Sequence, residues 1–321
     1  NFFLEYSPAS TNLQAFYVGI VNTLIVAITG IFFASVLGLI VGISRLSSNY
    51  LIRKMATVYI EVFRNIPILL QILFWYSMAL SAFPSPKNSI SFFDSIFLNS
   101  RGLYLPRPVE GVEIYLVLAS FIIGVVSYIF IKRRSNKKHD DTGIETNTTP
   151  YFAGLVLLLP IAVYFASGAQ LEYPVLKGFN FRGGVDLSIE FFALAFALSI
   201  YTATYIAEAI RSGIESVDNG QKEAAAAMGL TQTQSLRLVV LPQALRVAIP
   251  PIINQYLNLT KNSSLAAAVG YTELVTIFSG TVLNVVGQAI EIIILTMLVY
   301  LAISLVISLI LNIFNKKMQI K

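Results

Sequence analysis

The sequence predicts an all-α, polytopic integral membrane protein with about seven membrane-spanning helices. Of its 321 residues, 56% are hydrophobic and 12% are charged, whereas charged residues make up roughly a quarter of a soluble domain. Its apolar stretches reach the roughly 20 residues that a helix needs to cross the hydrocarbon core. Lysine and arginine are concentrated at the ends of alternate stretches. Short cytoplasmic loops of membrane proteins carry such an excess of basic residues.

Seven stretches are apolar over enough residues to count as candidate spans. The sixth starts near Ile249, because Pro250 and Pro251 fit the first turn of a helix and would break its interior. The other predicted spans comprise residues 16–44, 66–83, 114–131, 151–167, 187–206 and 290–314.

Basic residues predict the orientation of these spans. They follow the first, third and seventh spans at Arg45, Arg53, Lys54, Lys132, Arg133, Arg134, Lys137, Lys138, Lys316 and Lys317. Odd-numbered spans therefore end inside, which places a polar insert at 207–246 and the C-terminus in the cytoplasm. We expect one transmembrane domain over 1–321, with an extracytoplasmic loop at 84–113 and an inserted helical hairpin at 114–167.

Composition excludes several classes of function. The chain has no Cys, and its one His, His139, lies in a charged loop, so we expect no metal centre, no cofactor and no cysteine nucleophile. No span carries a His or an H-E-x-x-H pattern, which disfavours an intramembrane enzyme with catalytic residues. The net charge of +5 reports membrane orientation rather than nucleic-acid binding. Because the chain begins at Asn1 without a signal pattern, we expect further sequence upstream, with room for another span.

The insert carries the stretch "QKEAAAAMGLTQTQSLRLVVLP". Its alanines predict a short helix with a nearly bare surface, and Gly229 can end that helix with a left-handed φ. A second short helix should place Leu236, Val239 and Val240 on one face before Pro242 stops it. Composition alone leaves two readings open, a docking element for another protein or a cap that only joins two spans.

The spacing of this stretch resembles the EAA loop of bacterial ABC importer permeases. Glu-Ala-Ala is followed by three residues, Gly, nine residues, Val, one residue and Leu-Pro, with Val239 where Ile is usual. The resemblance implies coupling helices that dock into a groove of an ATP-binding subunit. The residues that carry it are Glu223, Ala224, Ala225, Gly229, Leu241 and Pro242.

The stretches "YIEVFRNIPILLQILFWY" and "LPQALRVAIPPIINQYLNLTKNSSLAAAVGYTEL" look like the polar-amino-acid branch of these permeases, and "FLNSRGLYLPRP" like its general L-amino-acid permeases. The resemblance implies a type I ABC importer permease fold in the bacterial inner membrane. It also implies ATPase subunits, a second homologous or identical permease, a periplasmic solute-binding protein and an amino-acid substrate as partners. Two features depart from the common pattern, Asn65-Ile66-Pro67 in place of Gly-Thr-Pro and the extra hairpin.

The chain has no G-x-x-x-x-G-K-[S/T] phosphate loop, so ATP hydrolysis would fall to a separate subunit. The alternative function is a stand-alone, ion-coupled carrier or channel for small polar solutes, which would need no coupling helices. Inverted repeats would favour a carrier, and none is evident in the sequence.

Ionisable residues within spans are costly and therefore mark candidate substrate contacts. Lys261, followed by Asn262, Ser263 and Ser264, could bind a carboxylate, and Glu273 could meet an α-ammonium group. The alternative for Lys261 is an amine that snorkels to the outer interface. The alternative for Glu273 is a solvated outer loop.

Other charged and aromatic residues have structural interpretations. Glu61 and Arg64 are spaced for a local ion pair, and Glu208, Arg211 and Glu215 for a solvated helical face. Trp75 is interpreted as a packing residue of the second span.

Overall fold

The computed structural model describes residues 11–109, 111–143, 146–283 and 287–319. These residues are mainly helical, and six helices are long and apolar enough to cross a membrane, or seven spans if one bent pair counts as a span. The α-helices are α1 (Asn12–Arg45), α2 (Tyr50–Asn65), α3 (Ile68–Ala82), α4 (Val112–Thr142), α5 (Thr149–Phe152), α6 (Leu159–Ser167), α7 (Ile189–Glu215), α8 (Asn219–Ala227), α9 (Gln232–Ser235), α10 (Leu241–Asn262) and α11 (Ala289–Gln319).

The chain divides into two compact units, and the first comprises residues 1–83, 100–102 and 187–321. Its central contact is between α1 and α7. Glycines on α1 allow the two backbones to approach closely: a Cβ at Gly38 would lie 2.7 Å from Ile206, and one at Gly42 would lie 3.0 Å from the Ala207 carbonyl oxygen. The apolar core beside this contact includes Val26, Ile72, Leu194, Leu198 and Leu259.

The second predicted span, 66–83, corresponds to α3, and a sharp break separates it from α2. Helices α2 and α3 meet at an angle of 103°, because Pro67 cannot continue α2 and holds the preceding Ile66 in an extended conformation. Gln71 is buried, and its side-chain amide donates to the carbonyls of Phe63 (2.8 Å) and Ile66 (2.9 Å). The side chain thus satisfies backbone oxygens that the break leaves without helical partners.

The sixth span differs from the prediction at its prolines. The helix runs without a sharp bend from Gln232 to Val269, so Pro242 does not stop it, and Pro250 and Pro251 lie inside α10 rather than in its first turn. Pro242 follows a π-helical turn, Leu236–Val240, whose wider spacing eases the clash of its ring with the preceding turn. The same arrangement, a π-helical turn at Ala153–Leu158, precedes Pro160 in the hairpin.

The second unit comprises residues 84–99 and 103–186. The segments before and after the hairpin contain short strands that were not predicted, because two to four residues are too few to show a period-2 pattern. The strands are β1 (Ile90–Phe92), β2 (Ile96–Asn99), β3 (Gly102–Leu105), β4 (Arg107–Pro108), β5 (Leu171–Glu172), β6 (Val175–Lys177), β7 (Asn180–Arg182) and β8 (Val185–Ser188). They form a four-stranded sheet in the order β1-β2-β3-β8 and the antiparallel pairs β4-β5 and β6-β7.

The inserted hairpin is formed by α4 packing against the α5–α6 segment. The two sides approach closely at Gly124, where a Cβ would lie 2.0 Å from the Leu155 carbonyl oxygen. Tyr128 and Phe152 make an edge-to-face contact with ring centroids 5.2 Å apart. Helix α4 continues past its apolar part, which ends at Ile131, so the basic segment is helical as far as Thr142.

We predict that Gly38→Ala destabilises the protein by about 1–3 kcal/mol, because the added methyl would overlap Ile206 on α7. Gly154→Ala is the matched control. A Cβ there meets nothing within 4 Å, and replacing a helical Gly with Ala is favourable by up to about 1 kcal/mol. Thermal unfolding of the purified protein measures both; equal effects would contradict the close α1–α7 contact.

Candidate functional site

The polar insert lies between α7 and α10 and begins with α8. The Asp218 carboxylate caps this helix by accepting from the Gly220 backbone N–H at 2.6 Å. Ala225 is buried, whereas Glu223 and Ala224 are exposed. At 100° per residue, Glu223, Ala224 and Ala227 lie on the side of α8 away from Ala225. We call these three residues the docking face.

Gly229 ends α8 as the sequence predicts. Its φ is +78°, its N–H donates to the Ala226 carbonyl at 2.9 Å, and the Leu230 N–H donates to the Ala225 carbonyl at 3.1 Å. This pair of bonds is the Schellman arrangement, which satisfies the last carbonyls of a helix and favours Gly at the left-handed position. The turn therefore fixes where α8 stops and α9 starts.

A capping box starts α9, and the sequence analysis missed it. Thr231 Oγ1 accepts from the Gln234 N–H at 3.3 Å, while Gln234 Oε1 accepts from the Thr231 N–H at 2.9 Å. The signal was present as Thr-x-x-Gln directly after the helix-ending glycine.

The predicted shared face of Leu236, Val239 and Val240 is wrong. These residues lie in the π-helical turn, where Val240 is buried while Leu236 is 49% exposed. Leu241 and Pro242 are exposed and form the first turn of α10.

Both ends of the insert are held by the membrane helices. Val217, Val240 and Ala244 are buried together with Ile214 packed against them. One turn before this cluster, a Cβ at Gly213 would lie 2.7 Å from the Ala244 carbonyl oxygen, so α7 and α10 are in backbone contact there. The insert is therefore attached to two membrane helices at once.

A charged cluster joins α1 to the same end of α7. Glu208 accepts hydrogen bonds from Arg45 and from Arg211, the latter at 2.5 Å, and Arg211 also pairs with Glu215. Arg45, Glu208 and Arg211 are each 20–27% exposed. Glu208 is thus a link between helices, and the predicted solvated face describes only Glu215, which is half-exposed. Charge spacing within α7 could not reveal Arg45, which is 163 residues away.

Arg64 lies next to this cluster in a cation–π contact. Its guanidinium is 5.7 Å from the centroid of the Tyr205 ring, and Tyr205 shares a hydrogen bond of 2.9 Å with Tyr201. Glu61 accepts a hydrogen bond from Asn65 at 3.4 Å. Trp75 packs edge-to-face on Phe196 at 4.9 Å, which supports its interpretation as a packing residue.

Glu273 is fully buried, which contradicts the alternative of a solvated outer loop. Its carboxylate accepts from the backbone N–H groups of Val275 (2.9 Å) and Thr276 (2.8 Å) and from the Tyr300 hydroxyl (2.8 Å). Tyr300 also lies 3.4 Å from the Ser263 hydroxyl. These bonds, with one from the Thr276 hydroxyl at 3.0 Å, tie the segment after α10 to α11.

The residues predicted to hold a zwitterion do not form one cluster. Lys261 is exposed while Glu273 is fully buried. Ser263 points into the Glu273–Tyr300 network, and Ser264 donates to the Lys261 carbonyl at 2.8 Å. Asn262 is the last residue of α10. A shared Lys261–Glu273 site therefore stays a prediction without geometric support in this conformation.

Among the described residues, no group of three or more His, Asp or Glu side chains is arranged to hold a metal ion. The buried polar contacts described above serve helix ends and interhelical links instead.

Known proteins similar to this chain identify its class. Residues 144–320 match the family described as binding-protein-dependent transport system inner membrane component. The general L-amino acid transport system permease protein AapQ of Rhizobium johnstonii is 48% identical to this chain. The match covers 99% of this chain and 80% of the AapQ sequence. The glutamate/glutamine/aspartate/asparagine transport system permease protein BztB of Rhodobacter capsulatus is 39% identical to this chain. The match covers 99% of this chain and 82% of the BztB sequence.

A solved crystal structure of an amino acid ABC transporter supports the fold, with a TM-score of 0.57 at 20% identity over 95% of this chain and 94% of that one. Fold and insert together define a multi-pass membrane subunit of a transporter. The chain belongs to the family of binding-protein-dependent transport system inner membrane components, the permease subunits of ABC importers. The expected type I ABC importer permease fold is confirmed.

We predict that Gly229→Ala weakens the end of α8 by about 1–2 kcal/mol, because a Cβ is unfavourable at a left-handed φ. Gly229→Asn should cost less, since Asn tolerates this conformation. Hydrogen exchange of the Leu230 amide, which bonds to Ala225, should be faster in the Ala variant than in the Asn variant. Equal exchange rates in wild type and both variants would contradict the assigned turn.

We predict that Glu273→Ala destabilises the protein by about 3 kcal/mol or more, because it leaves two backbone N–H groups and the Tyr300 hydroxyl without their acceptor. Tyr300→Phe removes one donor and should cost about 1 kcal/mol. Glu223→Ala, at an exposed site, should change stability by less than about 0.5 kcal/mol. Chemical unfolding of the three purified variants tests this order, and a Glu273 variant as stable as the Glu223 variant would contradict it.

Proposed function

We propose that this permease moves amino acids inward, in the direction set by ATP-driven movement of its cytoplasmic insert. The observation that carries the proposal is the attachment of the insert: α8 exposes the docking face, while Val217 and Val240 fix the ends of the insert to α7 and α10. A surface cap that only joined two spans would not need such an exposed, nearly bare alanine surface.

The docking face is suited to a protein partner. Small side chains allow close backbone approach, and the carboxylate of Glu223 can fix the register of a bound groove. Met228 and Leu238 beside it are 72% and 61% exposed, and exposed apolar side chains grouped on a polar insert are typical of interaction sites. The partner we propose is an ATP-binding cassette ATPase subunit, with the insert on the cytoplasmic side.

Coupling requires that nucleotide state bias two arrangements of the membrane helices. The insert can transmit such a bias because α9 and α10 form one helix as far as Val269. Displacement of α8 would therefore move α10 and, through Gly213, α7. The opposite side of the permease would receive solute from a periplasmic binding protein, and a second permease subunit would complete the pathway.

The substrate class we propose is L-amino acids, which agrees with the printed names of AapQ and BztB. Lys261, beside Asn262 and Ser264, is the proposed contact for a substrate carboxylate because it is a cation at the end of α10. For Glu273 we propose a positioning role through Tyr300, since its oxygens already bind internal donors. Uptake that is unchanged by Lys261→Ala would remove the carboxylate contact from the proposal.

The test of the docking face is co-purification of the chain with its ATPase. Ala227→Arg places a long cation on the docking face, and we expect it to reduce ATPase binding by at least about tenfold, as for disruption at the centre of an interface. Gln170→Arg adds the same charge at an exposed site in the other unit and should bind like wild type. Ala225 is unsuitable for substitution, since it is buried and a large side chain would disrupt the insert itself.

Two results would contradict the proposal. One is an Ala227→Arg chain that retains full ATPase binding and full ATP-dependent uptake. The other is a wild-type chain that transports amino acids in vesicles without any ATPase, which would favour the stand-alone carrier.

A further inference from the structure

We propose that the end of α4 carries a binding surface for anionic phospholipid headgroups, formed by Arg133, Arg134, Lys137 and Lys138. We call these four residues the basic face. All four side chains are exposed, and they follow directly on the apolar part of α4, which ends at Ile131. The surface lies within the second structural unit.

At this end of α4, the basic side chains lie on one side of the helix and the other polar side chains lie on the opposite side. At 100° per residue, the basic face occupies a sector of about 140°, while Ser135, Asn136 and His139 occupy about 100° on the other side. The polar side lines a cavity of about 410 Å³ together with Thr146 and Asn147, and Ser135 donates to the Thr146 carbonyl at 3.5 Å. The polar side is therefore used within the hairpin, and the basic face points away from it.

The basic face costs helix stability unless an anion neutralises it. Arg133 and Lys137 are four residues apart, as are Arg134 and Lys138, and like charges at this spacing repel. Helix α4 nevertheless continues to Thr142. The orientation of a span in the membrane depends only on the number of basic residues in its loops. It does not explain why these four residues form two pairs on one side of the helix.

The distance from the membrane selects a lipid as the anion. At 1.5 Å per residue, the basic face begins about 3 Å and ends about 10 Å beyond Ile131 along the helix, which is within about one Debye length of the surface at physiological salt. The amine of Lys132 lies 5.8 Å from the centroid of the Tyr128 ring, and basic and aromatic side chains at the end of an apolar helix are typical of the membrane interface. Clusters of four or more cations at this position attract anionic headgroups.

The experiment uses the complete chain with its partner subunits, reconstituted in phosphatidylcholine vesicles that contain a minor fraction of phosphatidylglycerol. The chain has no Cys, so Thr142→Cys, at the exposed end of α4, gives a single site for a fluorescent donor. Energy transfer to headgroup-labelled phosphatidylglycerol, compared with headgroup-labelled phosphatidylcholine, measures the local preference for the anionic lipid.

We expect a preference for phosphatidylglycerol that falls as salt is raised. Arg133→Gln with Lys137→Gln should reduce it by roughly 25-fold, at about fivefold for each charge near the surface. The double variant retains Lys132, Arg134 and Lys138, which preserves the charge signal for insertion. Labelling of Thr142→Cys by a membrane-impermeant maleimide verifies the same orientation in both proteins.

The matched control is Ser135→Ala with Asn136→Ala, which changes the polar side of the same helix and should leave the lipid preference unchanged. The proposal is overturned if wild type shows no preference, if the preference is insensitive to salt, or if both double variants behave alike. It is also overturned if the basic-face variant keeps the lipid preference and instead loses a protein partner on purification.

Discussion

Close packing of α1 against α7 is the contact on which the rest of the first unit depends. Gly38 and Gly42 remove the side chains that would hold the two backbones apart, and a packed interior cannot absorb an added methyl without shifting. The approach brings Arg45, at the end of α1, to Glu208 on α7. It thereby fixes the end of α7 from which the insert departs.

From this end of α7, a continuous series of contacts leads through the insert and α10 to Glu273. The insert is held by Val217 on the α7 side and by Val240 and Ala244 on the α10 side. From α9 the helix continues to Val269, and Ser263 near its end contacts Tyr300, which binds Glu273. The exposed docking face on α8 thus precedes this helix, and the buried Glu273 network follows it. This geometry would let an event at the docking face reach the membrane interior without an additional moving part.

Backbone hydrogen bonding explains why the helix tolerates its prolines. Pro250 and Pro251 lack the N–H groups that would bond the carbonyls of Arg246 and Val247, four residues back. In a membrane such carbonyls must find partners inside the protein or its water-filled cavities. Helix α10 packs against α7 and α11. Missing backbone hydrogen bonds are tolerated in a membrane helix where neighbouring helices cover it. Gln71 shows the same principle at the break between α2 and α3, since its amide binds two freed carbonyls.

The sequence predicted what local chemistry determines. Apolar length revealed the spans, and Gly229 was identified as a helix end because only a left-handed residue closes that turn without strain. Contacts between residues far apart in sequence were not predictable. Glu208 was assigned to solvent because its partner Arg45 is on another helix, and the bond from Tyr300 to Glu273, which was predicted to contact substrate, also joins separate segments. The prediction that Pro242 ends a helix was wrong because the π-helical turn that accommodates it has no clear sequence signal.

The most direct test of the account is whether the insert and α7 move as one body. Spin labels introduced by Gln221→Cys on α8, outside the docking face, and by Phe196→Cys on α7, in an otherwise Cys-free chain, allow their separation to be measured in the complete transporter. The account predicts the same distance distribution with and without bound nucleotide. A nucleotide-dependent change of several ångströms within this pair would show that the insert moves independently, as a loop does, and would contradict the account.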